Sequence, residues 1–193
     1  MEERRSSEER KTPEVIMGID PGTNILGYGV IRVGKSRPEY VAMGILDMRK
    51  ISGHFDRIGF IRREVSRLVS EYSPDVMSIE SPFYGKNAQV ILKLGRAQGA
   101  AVSAASDAGI PVFEYAPRKA KIAITGNGAA SKEQVCLMSS RLLGVDFAPE
   151  HLDATDALAL ALCHYFHLKS PIPASGGSSD WKKFIAENPG RVK

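Results

Sequence analysis

The segment Leu152-Asp-Ala-Thr-Asp-Ala-Leu-Ala-Leu-Ala-Leu-Cys163 constrains the fold more than any other part of the chain. From Ala157 onward it is apolar on every side, and a helix of that kind belongs in an interior rather than on a surface. Yet it opens with Asp153 and Asp156, three apart and so on one face of the helix. Two more acids stand in the same predicament. Asp20 closes the apolar run Val15-Ile-Met-Gly-Ile19 just before Pro21-Gly22, and Glu80 closes Val76-Met-Ser-Ile79 just before Ser81-Pro82. Ionised carboxylates are almost never fully buried unless they are paired or hold a metal. Four that converge would make a hard oxygen-ligand site of the sort that Mg²⁺ or Mn²⁺ prefers.

The remaining pattern is a sheet followed by helices. Val15–Asp20 reads as a first strand, and Gly27–Val33 and Tyr40–Leu46 follow at hairpin distances, as in an antiparallel meander. Between Phe55 and Tyr72 the apolar residues Phe55, Ile58, Ile61, Val65, Leu68, Val69 and Tyr72 step by three and four, which predicts an amphipathic helix. Asp75–Glu80 is a fourth strand, and a crossover helix before it favours parallel pairing with the first. Residues 87–108 read as a helix rich in Ala and Gly, Ile110–Tyr115 as a fifth strand, and 132–143 as a further helix; the stretch from Tyr115 to Ala130 is basic and contains glycine. If strands one and four lie side by side, Asp20 and Glu80 emerge at their carboxyl ends, where open α/β sheets place ligands. A helix laid across that edge would add Asp153 and Asp156. Two divalent ions held there would activate a water and stabilise the leaving oxygen of a phosphodiester. Without a metal, four clustered carboxylates would repel one another and at least one should protonate.

Each acid also has a plainer reading. Asp20 can open a Pro-Gly turn, Glu80 can simply end a strand, and Asp153 can cap a helix. His164 and His167 read as core-edge or surface histidines, and Cys136 and Cys163 as small reduced core residues.

Length and charge narrow the setting. The 193 residues suffice for one domain with a full core, and the net charge of +4 fits a polyanionic partner. Residues 82–98 carry Lys86, Lys93 and Arg96 without an acid, and 115–132 carry Arg118, Lys119, Lys121 and Lys132, also without an acid. The charged residues 1–14 read as a flexible N-terminal extension with no secretory signal, and residues 169–193 as a linker-like tail in which Trp181 and Phe184 could dock. No apolar run reaches the roughly 20 residues that a membrane span needs. A cytoplasmic location without membrane contact is expected.

Residues 15–168 resemble the RuvC family of bacterial Holliday junction resolvases, which have a ribonuclease-H-like fold. The resemblance rests on Gly18-Ile-Asp-Pro-Gly-Thr23, Gly27-Tyr-Gly29, Ile79-Glu80, Phe83-Tyr-Gly-Lys-Asn-Ala88, Leu92-Lys-Leu-Gly-Arg-Ala-Gln-Gly99, Pro111-Val-Phe-Glu-Tyr-Ala-Pro-Arg118, Gly126-Asn-Gly128 and Asp153-Ala-Thr-Asp-Ala-Leu-Ala159. It implies an α/β fold with a mixed five-stranded sheet flanked by helices. It also implies a metal-dependent endonuclease that nicks a four-way DNA junction symmetrically, as a homodimer paired through helix 87–108. By position, the resemblance puts the metal-binding acids on Asp20, Glu80, Asp153 and Asp156; some members carry a histidine at the Asp153 position. Lys121 and Lys132 fall where the family places cations near the scissile phosphate, and Phe83 where an aromatic inserts near the junction centre. Tyr84, Lys86, Asn87, Arg96, Arg118 and Lys119 are the further DNA contacts it implies. Two Mg²⁺ ions per subunit, with Mn²⁺ as a substitute, and the RuvA–RuvB branch-migration complex as partner complete the expectation.

Other classes share parts of the pattern. Gly-Ile-Asp-Pro-Gly-Thr also resembles the first phosphate loop of actin-like ATPases, but those need a second such domain, for which the chain has no room. A related ribonuclease-H-like nuclease acting on other branched nucleic acids would use the same acids. A non-enzymatic junction-binding module with a structural ion is the remaining alternative.

Overall fold

A computed structural model describes residues 14–81, 87–147 and 152–170. Phe83, Tyr84, Lys86, Trp181 and Phe184 lie outside the described residues. Strands β1 (Val15–Asp20), β2 (Ile25–Val33) and β3 (Pro38–Asp47) form the expected meander. Helix α1 (His54–Tyr72) then crosses to β4 (Val76–Glu80), α2 (Ala88–Asp107) leads to β5 (Val112–Tyr115), and α3 (Pro117–Thr125), α4 (Lys132–Leu143) and α5 (Leu152–Lys169) complete the described chain. The sheet order is β3-β2-β1-β4-β5. Pairing is antiparallel within the meander and parallel from β1 to β4 and from β4 to β5. The mixed five-stranded sheet therefore agrees with the expectation.

Each layer follows from its sequence. Helix α1 buries Ile61, Val65, Leu68 and Val69, one stripe of its surface, against α2 and one face of the sheet. It ends at Ser73, which takes the left-handed conformation ahead of Pro74, a residue that cannot continue a helix. Helix α2 contributes Ala97, Ala100, Ala101, Ala104 and Ala105, all small, to the same core. On the opposite face, Ile16, Ile31 and Val76 of the sheet meet α4 and α5. Helix α5 is buried almost throughout from Ala154 to Tyr165, as its all-round apolarity requires. No described helix is long and apolar enough to cross a membrane.

Helix α3 lies where the sequence shows only a basic, glycine-containing stretch from Tyr115 to Ala130. Its cations hide a short amphipathic element in which Ala120 and Ile124, four apart, face inward. Pro117 at the first helical turn and Gly126 in the left-handed conformation just past the end were the available signals.

Candidate active site

Helix α5 can reach the acids of the sheet only because glycines let it. A Cβ at Gly18 would overlap the Ala157 carbonyl oxygen, one at Gly27 the Asp153 carbonyl oxygen, and one at Gly29 the backbone of Leu158. Gly18 pairs with Gly29, and Gly27 with Asp20, across the antiparallel β1–β2 ladder. The three glycines thus form a bare floor on which α5 lies backbone to backbone. The first turn of α5 is thereby set directly beside the carboxyl end of β1.

There Asp20, Asp153 and Asp156 each offer a carboxylate oxygen, and the three oxygens lie within 4.8 Å of one another. Glu80, on the neighbouring parallel strand, lines the same cleft of about 350 Å³ with Asp20, Asp156, Lys121 and Lys132. The structure thus brings three of the four acids into a tight group and sets Glu80 in the cleft that Asp20 and Asp156 line. Gln98 of α2 steadies the end of β4, a role the sequence did not announce. Its buried side chain donates to the Glu80 carbonyl oxygen at 3.2 Å and to Glu114 Oε1 at 2.8 Å. A glutamine among the alanines of a core-facing helix was the only hint.

The electrostatics show the cost of the arrangement. Burial, with the Asp156 and Asp153 carboxylates beside it, raises the Asp20 carboxyl to about 6. Burial and the charges of Asp20 and Asp156 raise Glu80 to about 7. Burial also lifts Asp156, although its bond to Lys132 pulls the other way. Burial is the larger cause in each case and the neighbouring carboxylates add to it, so in the metal-free cluster Asp20 and Glu80 hold protons to higher pH than ordinary carboxylates do.

Lys132 is the cation inside this group. Its Nζ lies 2.9 Å from Asp153 and 2.7 Å from Asp156. Burial opposes its charge, but the two carboxylate bonds outweigh that, and its ammonium is held above the ordinary lysine range. Lys132 is the first residue of α4, where the helix dipole disfavours a cation. The capping box of Ser131 and Gln134 secures that helix start without help from Lys132. Its placement is therefore accounted for by the cleft and not by the helix. Lys121 lines the cleft while its Nζ donates to the Ala130 carbonyl at 2.7 Å, tying α3 to the approach to α4.

The other expected contact residues lie elsewhere. Asn87 caps α2, its Oδ1 accepting from Gln89 and Val90 N–H groups. Arg96 sits over the Phe55 ring at 5.6 Å and Lys119 over the Tyr115 ring at 4.9 Å. Arg118 is exposed on α3, packed beside Gly128. His164 is interior, 1% exposed, and shares a 2.7 Å hydrogen bond with the Tyr115 hydroxyl, which ties α5 to β5. Cys136 and Cys163 are free and buried, as expected.

Carboxylate oxygens at this spacing fit a divalent cation. They are hard donors, and their raised proton affinities mark a site where positive charge is wanted.

Comparison with known proteins identifies the family. The family model described as Crossover junction endodeoxyribonuclease RuvC matches residues 16–164. The Crossover junction endodeoxyribonuclease RuvC of Bacteroides fragilis is 52% identical over 182 residues, covering 93% of this chain and 96% of that protein. That of Porphyromonas gingivalis is 48% identical over 184 residues, covering 93% and 97%. Among solved structures, Thermus thermophilus RuvC in complex with a Holliday junction substrate superposes with a TM-score of 0.73 at 35% identity, covering 80% of this chain and 94% of that one. With a family model over most of its length and relatives this close, the chain belongs to the RuvC family of crossover junction endodeoxyribonucleases.

Proposed function

We propose that this protein resolves Holliday junctions by hydrolysing one phosphodiester in each of two opposed strands. The observation that carries the reading is the group of Asp20, Asp153 and Asp156 at the carboxyl edge of the sheet, with Glu80 across the cleft. The junction complex of the Thermus relative supports the choice of substrate.

In this reading the four acids hold two Mg²⁺ ions, with Mn²⁺ able to substitute. When bound, those ions polarise the phosphate and lower the proton affinity of a water. The chain's own residues do the rest. The glycine floor and Gln98 fix the acids before substrate arrives, so no reorganisation is needed at the moment of reaction. Lys132 and Lys121, on the same cleft, bind the phosphate and neutralise charge that develops on its oxygens. Lys132 also compensates the carboxylates in the resting protein, so it acts as counter-charge before the metal and phosphate do.

Residues 15–168 are the nuclease domain in this account, with 1–14 and 169–193 as appendages. The active unit is a homodimer, because a two-fold protein suits a two-fold substrate. Phe83 stacks on a base unpaired at the crossover, Tyr84, Lys86, Asn87, Arg96, Arg118 and Lys119 supply further DNA contacts, and RuvA–RuvB delivers the junction.

The test is cleavage of a mobile synthetic four-way junction with Mg²⁺, beside a linear duplex of the same sequence. Paired symmetric nicks on the junction alone, absent with Asp20→Asn although that variant still binds, are expected. Cleavage by Asp20→Asn at the wild-type rate would remove Asp20 from the site. Binding without cutting under either metal would favour a binding module instead.

A further inference from the structure

A second cavity, of about 370 Å³, opens beside the start of α1 and α2, and Thr23, Asn24, Ser52, His54, Arg57 and Lys93 contribute its polar lining. The topology puts it on the same sheet edge as the acids. Strand β3 runs in the direction of β1, so α1 begins where β1 and β4 end, and α2 begins there too. The acids lie on the α5 face of the sheet, whereas this cavity lies on the α1–α2 face. Asp20 and Thr23 are three residues apart, so their Cα atoms are separated by at most about 11 Å.

The chemistry of the lining is the reverse of that in the cleft. Among the described residues no carboxylate lines it, and Arg57 and Lys93 bring two formal positive charges. Arg57 builds the walls: Nε donates to the Ile51 carbonyl at 2.6 Å, and a terminal nitrogen donates to the Thr23 carbonyl at 3.0 Å and to Asn24 Oδ1. Its charge is thereby fixed in place. Lys93 is exposed and has no hydrogen bond or ion pair among the described residues. His54 has a buried Nε2 with no partner there. The start of α1 is not itself the attraction, since Asp56 turns back over Gly53.

We infer that this cavity is a phosphate subsite for the backbone of the strand whose scissile bond lies in the carboxylate cleft. The inference rests on the nuclease reading above. It assigns Lys93 as the mobile cation that closes on the phosphate and Arg57 as the fixed one. A strand lying over the sheet edge would then be held on both faces. Its reacting phosphate would sit on the acid side and a neighbouring phosphate on the basic side.

The experiment uses the full chain without metal. Junction affinity is measured against salt concentration for the wild type and for Lys93→Gln, with oligomeric mass checked for both. Each phosphate contact adds about 0.9 to the slope of log affinity against log salt. Lys93→Gln is expected to bind the junction several-fold more weakly with a slope lower by about that amount. In parallel, inorganic phosphate is titrated while the His54 ring is followed by NMR. A saturable shift in the wild type that Lys93→Gln weakens is expected. An unchanged slope and affinity in Lys93→Gln overturns the subsite, and so does a weaker affinity that merely tracks a change in oligomeric mass. If the wild type fails to bind or cut junctions while His54 still responds to phosphate, the nuclease reading fails. The cavity is then a site for a free phosphate compound, and the strand assignment falls with it.

Discussion

The two faces of the sheet are packed on different principles. On the α1–α2 face, side chains fill the space: Met17, Ile19, Met77 and Ile79 meet Ile61, Val65 and Leu68, all fully buried, in an ordinary hydrophobic core. On the other face, at β1 and β2, side chains have been removed at Gly18, Gly27 and Gly29 so that the α5 backbone can touch the strands. The first kind of packing tolerates small errors, because a missing methyl group leaves a void that neighbours partly close. The second does not, because a backbone cannot move aside without moving everything it carries. What α5 carries is Asp153 and Asp156.

The sharpest way to break the contrast is a matched pair of variants. Leu68→Ala on α1 should cost roughly 2–5 kcal/mol of stability. It should leave the junction cutting rate of the folded protein nearly as it was. Gly29→Ala should cost about 1–3 kcal/mol or more, because its Cβ lands on Leu158. It should also abolish cutting, because α5 and its two acids must lift off the β1–β2 ladder. Thermal denaturation together with single-turnover cleavage separates the two effects. Equal losses of activity at equal losses of stability would show that the faces do not differ.

This division also explains what could be read from the sequence. The four acids were legible because each stands where an apolar element ends or begins, Asp20 and Glu80 closing strands and Asp153 and Asp156 opening a helix, positions where a plain hydrophobic core would have no use for charge. The meander followed from hairpin spacing and the parallel pairing of β4 with β1 from the crossover through α1, whereas the place of β5 beside β4 had no such signal. The glycine floor was not legible as a floor. Nothing local to Gly18 or Gly29 says that a helix more than a hundred residues later will lie on them, since the requirement arises only from the tertiary contact. Gln98 was silent for the same reason, as its partner is the main chain at Glu80 and not a side chain with a pattern of its own. Helix α3 was obscured because its cations outnumber the two buried positions that define it. His164, read as a core-edge or surface histidine, is interior because Tyr115 supplies the hydrogen bond that lets an imidazole be buried.

A smaller effect tests how the α5 face is held at its far end. Tyr115→Phe removes the hydroxyl bonded to His164 Nδ1 and leaves a buried ring nitrogen unpaired. About 1–3 kcal/mol of stability should be lost. Cutting should persist, because this tie is two helical turns beyond the acids. A drop in cutting as large as that of Gly29→Ala would mean that the glycine floor alone does not position the acids.

The mildest test is pH, and it again separates the faces, because among the described residues the buried core beneath α1 and α2 holds no carboxylate or imidazole while the α5 face holds several. Asp20 and Glu80 have proton affinities raised in the fold, to about 6 and about 7. The folded, metal-free protein therefore keeps protons that the unfolded chain gives up near its ordinary carboxylate range. Their contribution to stability is full below that range and is lost as pH rises through 6 and 7. His164 runs the other way. Its proton affinity is depressed by burial to about 4, so its contribution is present above its ordinary value and lost as pH falls towards 4. The two opposing slopes overlap between about pH 4 and 6.5, which leaves 6.5 to 8 as the window in which the carboxylates act alone. In chelator, the melting temperature should fall modestly across that window. Glu80→Gln should flatten the fall, and Mg²⁺ at pH 8 should restore the lost stability by replacing the protons with metal charge. Leu68→Ala, which touches only the other face, should lower the whole curve without changing its slope. A flat wild-type curve from pH 6.5 to 8 would show that the carboxylates ionise without strain, and the acid cluster would then exert no preference for a cation beyond that of any exposed group of acids.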